Sequence, residues 1–287
     1  MTTVPVLPAG PVDEVRRADA RTRAALNHAV ERTARLWRSV DDPAAPVPGL
    51  AWTAGEVAAH VVGDMGEYAA ALTAHVAGST SVTELPDGSP ARLRTAVNAG
   101  HLDEVRERDP RRLADMLEET AAKYLAVAAG LDPSEHSAIL TADSLVLEPA
   151  VMTCLLLGEQ LVHGLDIARA AGRRWVISRE DALLVIPAVL ALTPKYLRPS
   201  RTQNLRASFE LRMSGGGRYR IAIDNGAGTV TTAGEKADCV ITADPVTFLL
   251  LGFDRVPQWP QILRGRLRAG GRKPWLAAKF ATLLASP

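Results

Sequence analysis

The stretch LLLGEQLVHGLDIAR, residues 155–169, decides how the rest of the chain is interpreted. Glu159 and His163 stand four residues apart in this mainly apolar segment, so on a helix they share one face. Burying a carboxylate or an imidazole without a partner is costly, and a divalent metal would satisfy both groups. The stretch therefore predicts a buried helix that contributes two metal ligands.

A third ligand has to come from elsewhere, because catalytic zinc sites typically use three protein ligands and leave one position open. The best candidate is His60, within WTAGEVAAHVV at residues 52–62. Thr53 and Glu56 have the spacing of a capping box, which predicts that a helix begins there. Asp64, one turn after His60, is either an extra ligand or an orienting acceptor, although a solvated helix charge is the commoner role.

The remaining polar groups near this helix allow more than one interpretation. Asp166 is placed either to orient the His163 ring or to pair with Arg169 three residues on. Cys154 lies about opposite His163 on the helix, so we expect a packed core thiol, and Cys239 is interpreted in the same way. Two cysteines cannot form a disulfide framework, which favours a reducing compartment.

Length and composition narrow the class of protein. A chain of 287 residues with 47% hydrophobic content predicts about two domains with sizeable cores. A net charge of +1 gives no general attraction to nucleic acid or to an anionic membrane, so we expect neither as a partner. The N-terminus lacks the pattern of a signal peptide, and the most apolar run, residues 145–162, contains Glu148, Pro149 and Glu159. We therefore expect a cytoplasmic protein.

The first part of the chain is predicted to be helical, with helices ending at Pro or Gly. The predicted elements are helices at 12–40, 53–77, 110–129 and 149–171, a short helix at 91–98, and an extended stretch at 141–147. Asp109 and Pro110 have the order of an N-cap and a first helical residue. Four long helices predict a bundle, whose interior is where facing helices bring metal ligands together.

Towards the C-terminus the hydrophobic pattern changes from a helical to an alternating period. The predicted elements are a helix at 178–196, a hairpin at 209–213 and 219–223, strands at 229–232, 238–242 and 265–269, and helices at 246–251 and 274–284. This pattern predicts a smaller α+β domain. The predicted domains are 1–176, a connecting helix and linker at 177–203, and 204–287. Arg264, Arg266 and Arg268 alternate along the last predicted strand, where they either hold a carboxylate substrate or form a solvated edge.

Two groups of motifs resemble those of a known family. The spacing Trp52, Glu56, His60 and the segment GEQLVHGLDIARA at 158–170 resemble the mycothiol-dependent maleylpyruvate isomerase family, in which a DinB-like metal-binding four-helix bundle precedes a sterol-carrier-like domain. The tail resembles that second domain through the motifs ADCVITAD at 237–244, LG at 251–252 and GRLRAGG at 265–271.

The resemblance carries expectations about the site. It implies that His60, Glu159 and His163 bind a divalent metal, with zinc as the expected ion, and that mycothiol is the thiol cosubstrate. A thiol at the open metal position would lose its proton and become nucleophilic. The resulting reaction is either cis–trans isomerisation of a maleyl-type diacid or transfer of sulfur to another electrophile. The alternative is a binding module for a small molecule or protein, whose metal site is structural or vestigial.

Overall fold

The computed structural model describes residues 7–79, 90–133, 136–232 and 234–285. They form two compact units: Arg16–Ile177, and the chain from Ser178 onward together with residues 7–15 at the start of the first helix. The elements of the first unit, with the first turns of α1 counted in the second, are α1 (Ala9–Trp37), α2 (Ala54–Val76), α3 (Pro90–Glu104), α4 (Pro110–Ala129), β1 (Ile139–Leu140), β2 (Val146–Leu147) and α5 (Pro149–Ala170).

The first unit is the predicted helical bundle, and α2 is its central element. This helix packs against α3, α4 and α5, so its side chains face three neighbours. The core contains the fully buried side chains of Trp37, Leu72, Leu113 and Leu157. Because α2 and α5 are in direct contact, polar residues on their facing sides lie close together.

The predicted helix starts at Thr53 and Asp109 are confirmed. Thr53 and Glu56 form a capping box, in which the backbone N–H of Thr53 donates to Glu56 Oε2 at 2.8 Å and the backbone N–H of Glu56 donates to Thr53 Oγ1 at 3.3 Å. Asp109 caps α4 by accepting from the backbone N–H of Arg111, and Pro110 is the first helical residue. These bonds fix the entry of α2, two turns before His60.

Two predictions in this unit were inaccurate. The short helix predicted at 91–98 is α3, which extends to Glu104. Its end could not be predicted from apolar periodicity, because His101 is the only buried side chain among those described on this helix. The predicted extended stretch at 141–147 is the end of a small hairpin, β1 paired with β2. The chain turns between them, with Ser144 at φ 62°, and Asp and Ser are turn residues that the prediction overlooked.

Helix α5 is long and apolar enough, by composition, to cross a membrane. In the structure 83% of its most apolar window is buried inside the protein. Most of this helix is therefore enclosed by the rest of the protein, as for the core helix of a bundle.

The second unit contains a five-stranded sheet with short helices. Its elements are α6 (Arg179–Leu192), α7 (Pro199–Thr202), β3 (Arg206–Met213), β4 (Arg218–Asp224), β5 (Ala227–Thr232), β6 (Cys239–Ala243), α8 (Pro245–Gly252), α9 (Gln258–Leu263), β7 (Leu267–Gly271) and α10 (Ala277–Phe280). The strand order is β5-β4-β3-β6-β7, with β3 and β6 parallel and the other pairs antiparallel. Residues 177–203 were predicted to be a connecting helix and linker. In the structure, Ile186 and Leu190 of α6 belong to the core of this unit.

Several boundaries in the second unit differ from the predictions. The last strand begins at Leu267 and not at residue 265, because Gly265 has φ 69° and turns the chain after α9. The predicted helix at 178–196 ends as α-helix at Leu192 and continues as a 3-10 turn. The predicted helix at 274–284 is broken into α10 and flanking 3-10 turns. Helices α7 and α9 were not predicted, since four and six residues are too short for a periodicity to show.

Candidate metal centre

The three predicted ligands converge in the first unit. His60 comes from α2, and Glu159 and His163 come from successive turns of α5. Glu159 Oε2 lies 3.6 Å from His60 Nε2 and 3.0 Å from His163 Nε2. One ligand atom from each residue lies within 4.8 Å of the others. Two nitrogens and one oxygen therefore surround a common point at the contact between the two helices.

The chemistry of this donor set fits a divalent ion. Glu159 Oε2 is a buried carboxylate oxygen that makes no hydrogen bond of acceptable geometry within the described part of the chain, although two imidazoles lie beside it. Bonds of about 2.0–2.2 Å from zinc to nitrogen and oxygen place ligand atoms roughly 3–3.6 Å apart, close to the two separations found here. A buried carboxylate oxygen needs positive charge beside it, which either a protonated His163 or a bound divalent ion supplies.

Asp166 holds the ring of His163 in the orientation that such a site needs. His163 Nδ1 lies 3.0 Å from Asp166 Oδ2, and the Asp166 side chain is fully buried. With Nδ1–H donating to this carboxylate, Nε2 of His163 faces Glu159, and an ion bound there would displace the proton from Nε2. Burial disfavours the charged ring, yet Asp166 and Glu159 outweigh it and raise the pKa of His163 to about 9.

The ring of His60 is buried against three other rings. It lies 5.1 Å from Trp52, 5.3 Å from His101 and 5.2 Å from His163, measured between ring centroids. Burial lowers the pKa of His60 to about 4, so the ring is neutral at physiological pH, which is the form that binds metals. The Nδ1 atom of His60 is 3.2 Å from Nδ1 of His101.

A second cluster of ligand-type residues lies next to the first. Asp64 and Glu67 of α2 and His101 of α3 also bring one ligand atom each within 4.8 Å of one another. Of these three residues, only Asp64 was predicted from the sequence as a candidate; Glu67 and His101 were not. Arg94 and His101 are seven residues apart and so share one face of a helix, but this spacing does not identify their partners on α2.

Arg94 occupies the centre of this second cluster. Its guanidinium donates to Asp64 Oδ1 and Asp143 Oδ2 at 3.0 Å each, and to the Tyr68 hydroxyl at 3.2 Å. Asp64 thus has an arginine as its partner. Burial, reinforced by the charge of Glu159, raises the pKa of Asp64 to about 7.

The three arginines proposed for substrate binding lie in the second unit. Arg264 follows the end of α9, Arg266 precedes β7, and Arg268 lies within β7. All three are exposed. They do not alternate along one strand, because the strand begins after Arg266.

Neither cysteine provides a reactive thiol. Cys154 and Cys239 are free and buried, and burial raises the pKa of Cys154 to about 12 and that of Cys239 above its usual value. We expect the native protein to resist iodoacetamide at pH 8 and to incorporate two equivalents after unfolding in urea, as measured by mass spectrometry. Rapid alkylation of the native protein at Cys154 would contradict the buried environment.

Comparison with known proteins relates the segment that contains these residues to a family. Residues 26–168 match the family model described as the mycothiol maleylpyruvate isomerase N-terminal domain. A comparison with curated protein sequences gave no significant match.

Two solved structures share the fold. The crystal structure of a histidine-to-alanine mutant of the mycothiol-dependent maleylpyruvate isomerase is 12% identical, with a TM-score of 0.55, 88% of this chain covered and 92% of that chain. The crystal structure titled simply as the mycothiol-dependent maleylpyruvate isomerase is 13% identical, with a TM-score of 0.54 and the same coverage. Residues 26–168, which contain His60, Glu159 and His163, belong to the mycothiol maleylpyruvate isomerase N-terminal domain family.

Proposed function

We propose that this protein is a metal-dependent enzyme that uses mycothiol as cosubstrate and acts as a maleylpyruvate isomerase-like cis–trans isomerase. The observation that carries the proposal is the convergence of His60, Glu159 and His163, one ligand atom from each within 4.8 Å, inside the family-matched segment. Isolated, each residue has an ordinary structural role. Together they leave a buried carboxylate oxygen that a divalent ion would satisfy.

The residues of the chain have separate parts in this proposal. His60, Glu159 and His163 would hold the ion, and Asp166, through its contact with Nδ1, would keep Nε2 of His163 directed at it. When bound, such an ion would act as a Lewis acid and lower the pKa of a thiol, so that the nucleophilic thiolate would be present at neutral pH. The thiol is external, because Cys154 and Cys239 are buried and have raised pKa values.

Isomerisation then needs no net consumption of thiol. The sulfur forms a bond to one carbon of a conjugated C=C bond, whose electron pair moves onto the adjoining carbonyl group. Rotation occurs about the carbon–carbon bond that is now single. The electron pair returns, the C–S bond breaks, and the double bond re-forms as the trans isomer with release of the thiol.

Transfer of the thiol to an electrophile is a second candidate, and the charges around the site favour it. Beside the triad lie the carboxylates of Asp64, Glu67 and Asp166, and Arg94 is already bound to Asp64 and Asp143. These described groups offer a dianionic substrate little attraction. A neutral electrophile would face no such repulsion.

Consumption of thiol separates the two reactions. Purified zinc-loaded protein is incubated with mycothiol and either maleylpyruvate or the neutral electrophile monochlorobimane, and free thiol and products are measured. We expect isomerisation that continues at a constant mycothiol concentration. Loss of one thiol per product with monochlorobimane would instead establish the transferase. Equal turnover in thiol-free buffer would contradict both.

The proposed setting is a reducing cytoplasm. Both cysteines are free in the structure, which fits such a compartment and the use of a small thiol.

A further inference from the structure

Two buried imidazoles face each other through the same type of nitrogen. His60 Nδ1 and His101 Nδ1 are 3.2 Å apart, and both side chains are almost completely buried. A neutral imidazole has one N–H and one lone pair. At this distance, therefore, one Nδ1 must carry the hydrogen and the other must accept it.

The proposed metal site determines which ring donates. If His60 directs the lone pair of Nε2 at the ion, its hydrogen is on Nδ1 and is donated to His101 Nδ1. His101 then has its own hydrogen on Nε2, which lies 3.3 Å from Glu67 Oε2. The other carboxylate oxygen of Glu67 accepts from the backbone N–H of Ala142 at 3.0 Å. In this series of hydrogen bonds, every donor therefore faces an acceptor.

Resting on the proposed function, we infer that Glu67 and His101 are positioning residues that fix the tautomer and orientation of His60, and that the cluster Asp64–Glu67–His101 is not a second metal site. An ion bound to His101 Nε2 would require hydrogen on His101 Nδ1, which would then oppose the N–H of metal-bound His60. The two clusters cannot both be loaded through neutral histidines. The guanidinium of Arg94, 3.0 Å from Asp64 and 3.8 Å from Glu67, already supplies positive charge to the second one.

The packing of α3 holds His101 in this place. His101 is the only buried side chain among those described on this helix. It sits directly over Gly63 of α2, where a Cβ atom would approach His101 Cβ to 2.6 Å. Burial opposes ionisation of Glu67, but the hydrogen bond from His101 and the charge of Arg94 outweigh it and keep the pKa of Glu67 below its usual value. Glu67 is thus an ionised acceptor for His101.

Two substitutions at position 101 separate positioning from packing. His101→Phe keeps a ring and removes both nitrogens, whereas His101→Asn keeps an amide oxygen near the position of Nδ1 that can accept from His60. We expect His101→Phe to weaken zinc affinity about 10- to 100-fold, measured by competition with a chelator, and to shift the visible spectrum of the cobalt-substituted protein. His101→Asn should recover most of the affinity. His75→Phe, at a partly exposed position on the last turn of α2, is the matched control and should bind zinc like the wild type.

Glu67→Gln tests the direction of the hydrogen bonds that link His60, His101 and Glu67. Both oxygens of Glu67 accept hydrogen bonds, so a glutamine leaves either Ala142 N–H or His101 Nε2–H without an acceptor. We expect zinc affinity to fall about 10-fold, with helix content by circular dichroism retained.

The outcomes distinguish this inference from the proposal on which it rests. One zinc per wild-type chain with weakened His101→Phe and Glu67→Gln supports both. Two ions per chain, or His101→Phe with unchanged affinity and an unchanged cobalt spectrum, overturns the inference and leaves the proposed function standing. No zinc bound to the wild type overturns the proposed function, and the inference with it.

Discussion

His163→Ala is expected to lower mycothiol-dependent turnover by more than about 100-fold, which is the upper end of the effect for groups that only orient a metal ligand. The substitution removes one of three proposed ligands and leaves Glu159 Oε2 with one imidazole beside it. The bundle should remain folded, because its apolar core does not depend on this side chain. Zinc content by elemental analysis and helix content by circular dichroism provide readouts that do not depend on the substrate.

Two further variants sharpen this test. Glu159→Gln keeps the size of the side chain and removes its charge, so it should weaken zinc binding without creating a cavity. His28→Ala changes an exposed histidine of α1 and should keep full zinc content and activity. Wild-type thiol chemistry in both triad variants would mean that the triad is not catalytic. If the variants unfold without metal, the site is structural, and the binding-module alternative becomes the better account.

Arg94→Met is expected to lower the free energy of unfolding by about 3–5 kcal/mol, the range for removing one partner of a buried ion pair. Arg94 is 12% exposed, and Asp64 and Asp143 are 4% and 0% exposed in their side chains. Without the guanidinium, two buried carboxylates and the Tyr68 hydroxyl lose their shared partner. Helix α3 has little apolar surface to hold it otherwise. Urea unfolding monitored by circular dichroism measures the change.

Arg112→Met is the matched control for this prediction. Arg112 lies 3.6 Å from Glu107, and its side chain is 75% exposed, so its loss should cost less than about 1 kcal/mol. If the two substitutions lowered the free energy of unfolding equally, the buried ion pairs of Arg94 would not stabilise the unit more than an exposed ion pair does.

The proximity of the three candidate ligands could be predicted in part, because two of its signals are local. Glu159 and His163 are four residues apart on a helix whose apolar character is obvious, and the capping box at Thr53 fixes the register of His60. The resemblance to a known family added the link between the two helices. Sequence spacing alone could not show that α2 packs against α5.

The supporting groups could not be predicted, because their partners are distant in sequence. His101 contacts His60 across 41 residues, and Glu67 contacts Ala142 across 75. Helix α3 also lacks the apolar stripe that would have shown which of its faces is buried. In the second unit, the strand at 265–269 was placed two residues early, because the turn at Gly265 cannot be distinguished from a strand glycine by pattern alone.

Anomalous diffraction from crystals of the zinc-loaded protein, collected above and below the zinc absorption edge, tests the central claim most directly. The account predicts one peak per chain, in contact with His60 Nε2, Glu159 Oε2 and His163 Nε2. A peak among Asp64, Glu67 and His101, or no peak in either cluster after soaking in zinc, would contradict it.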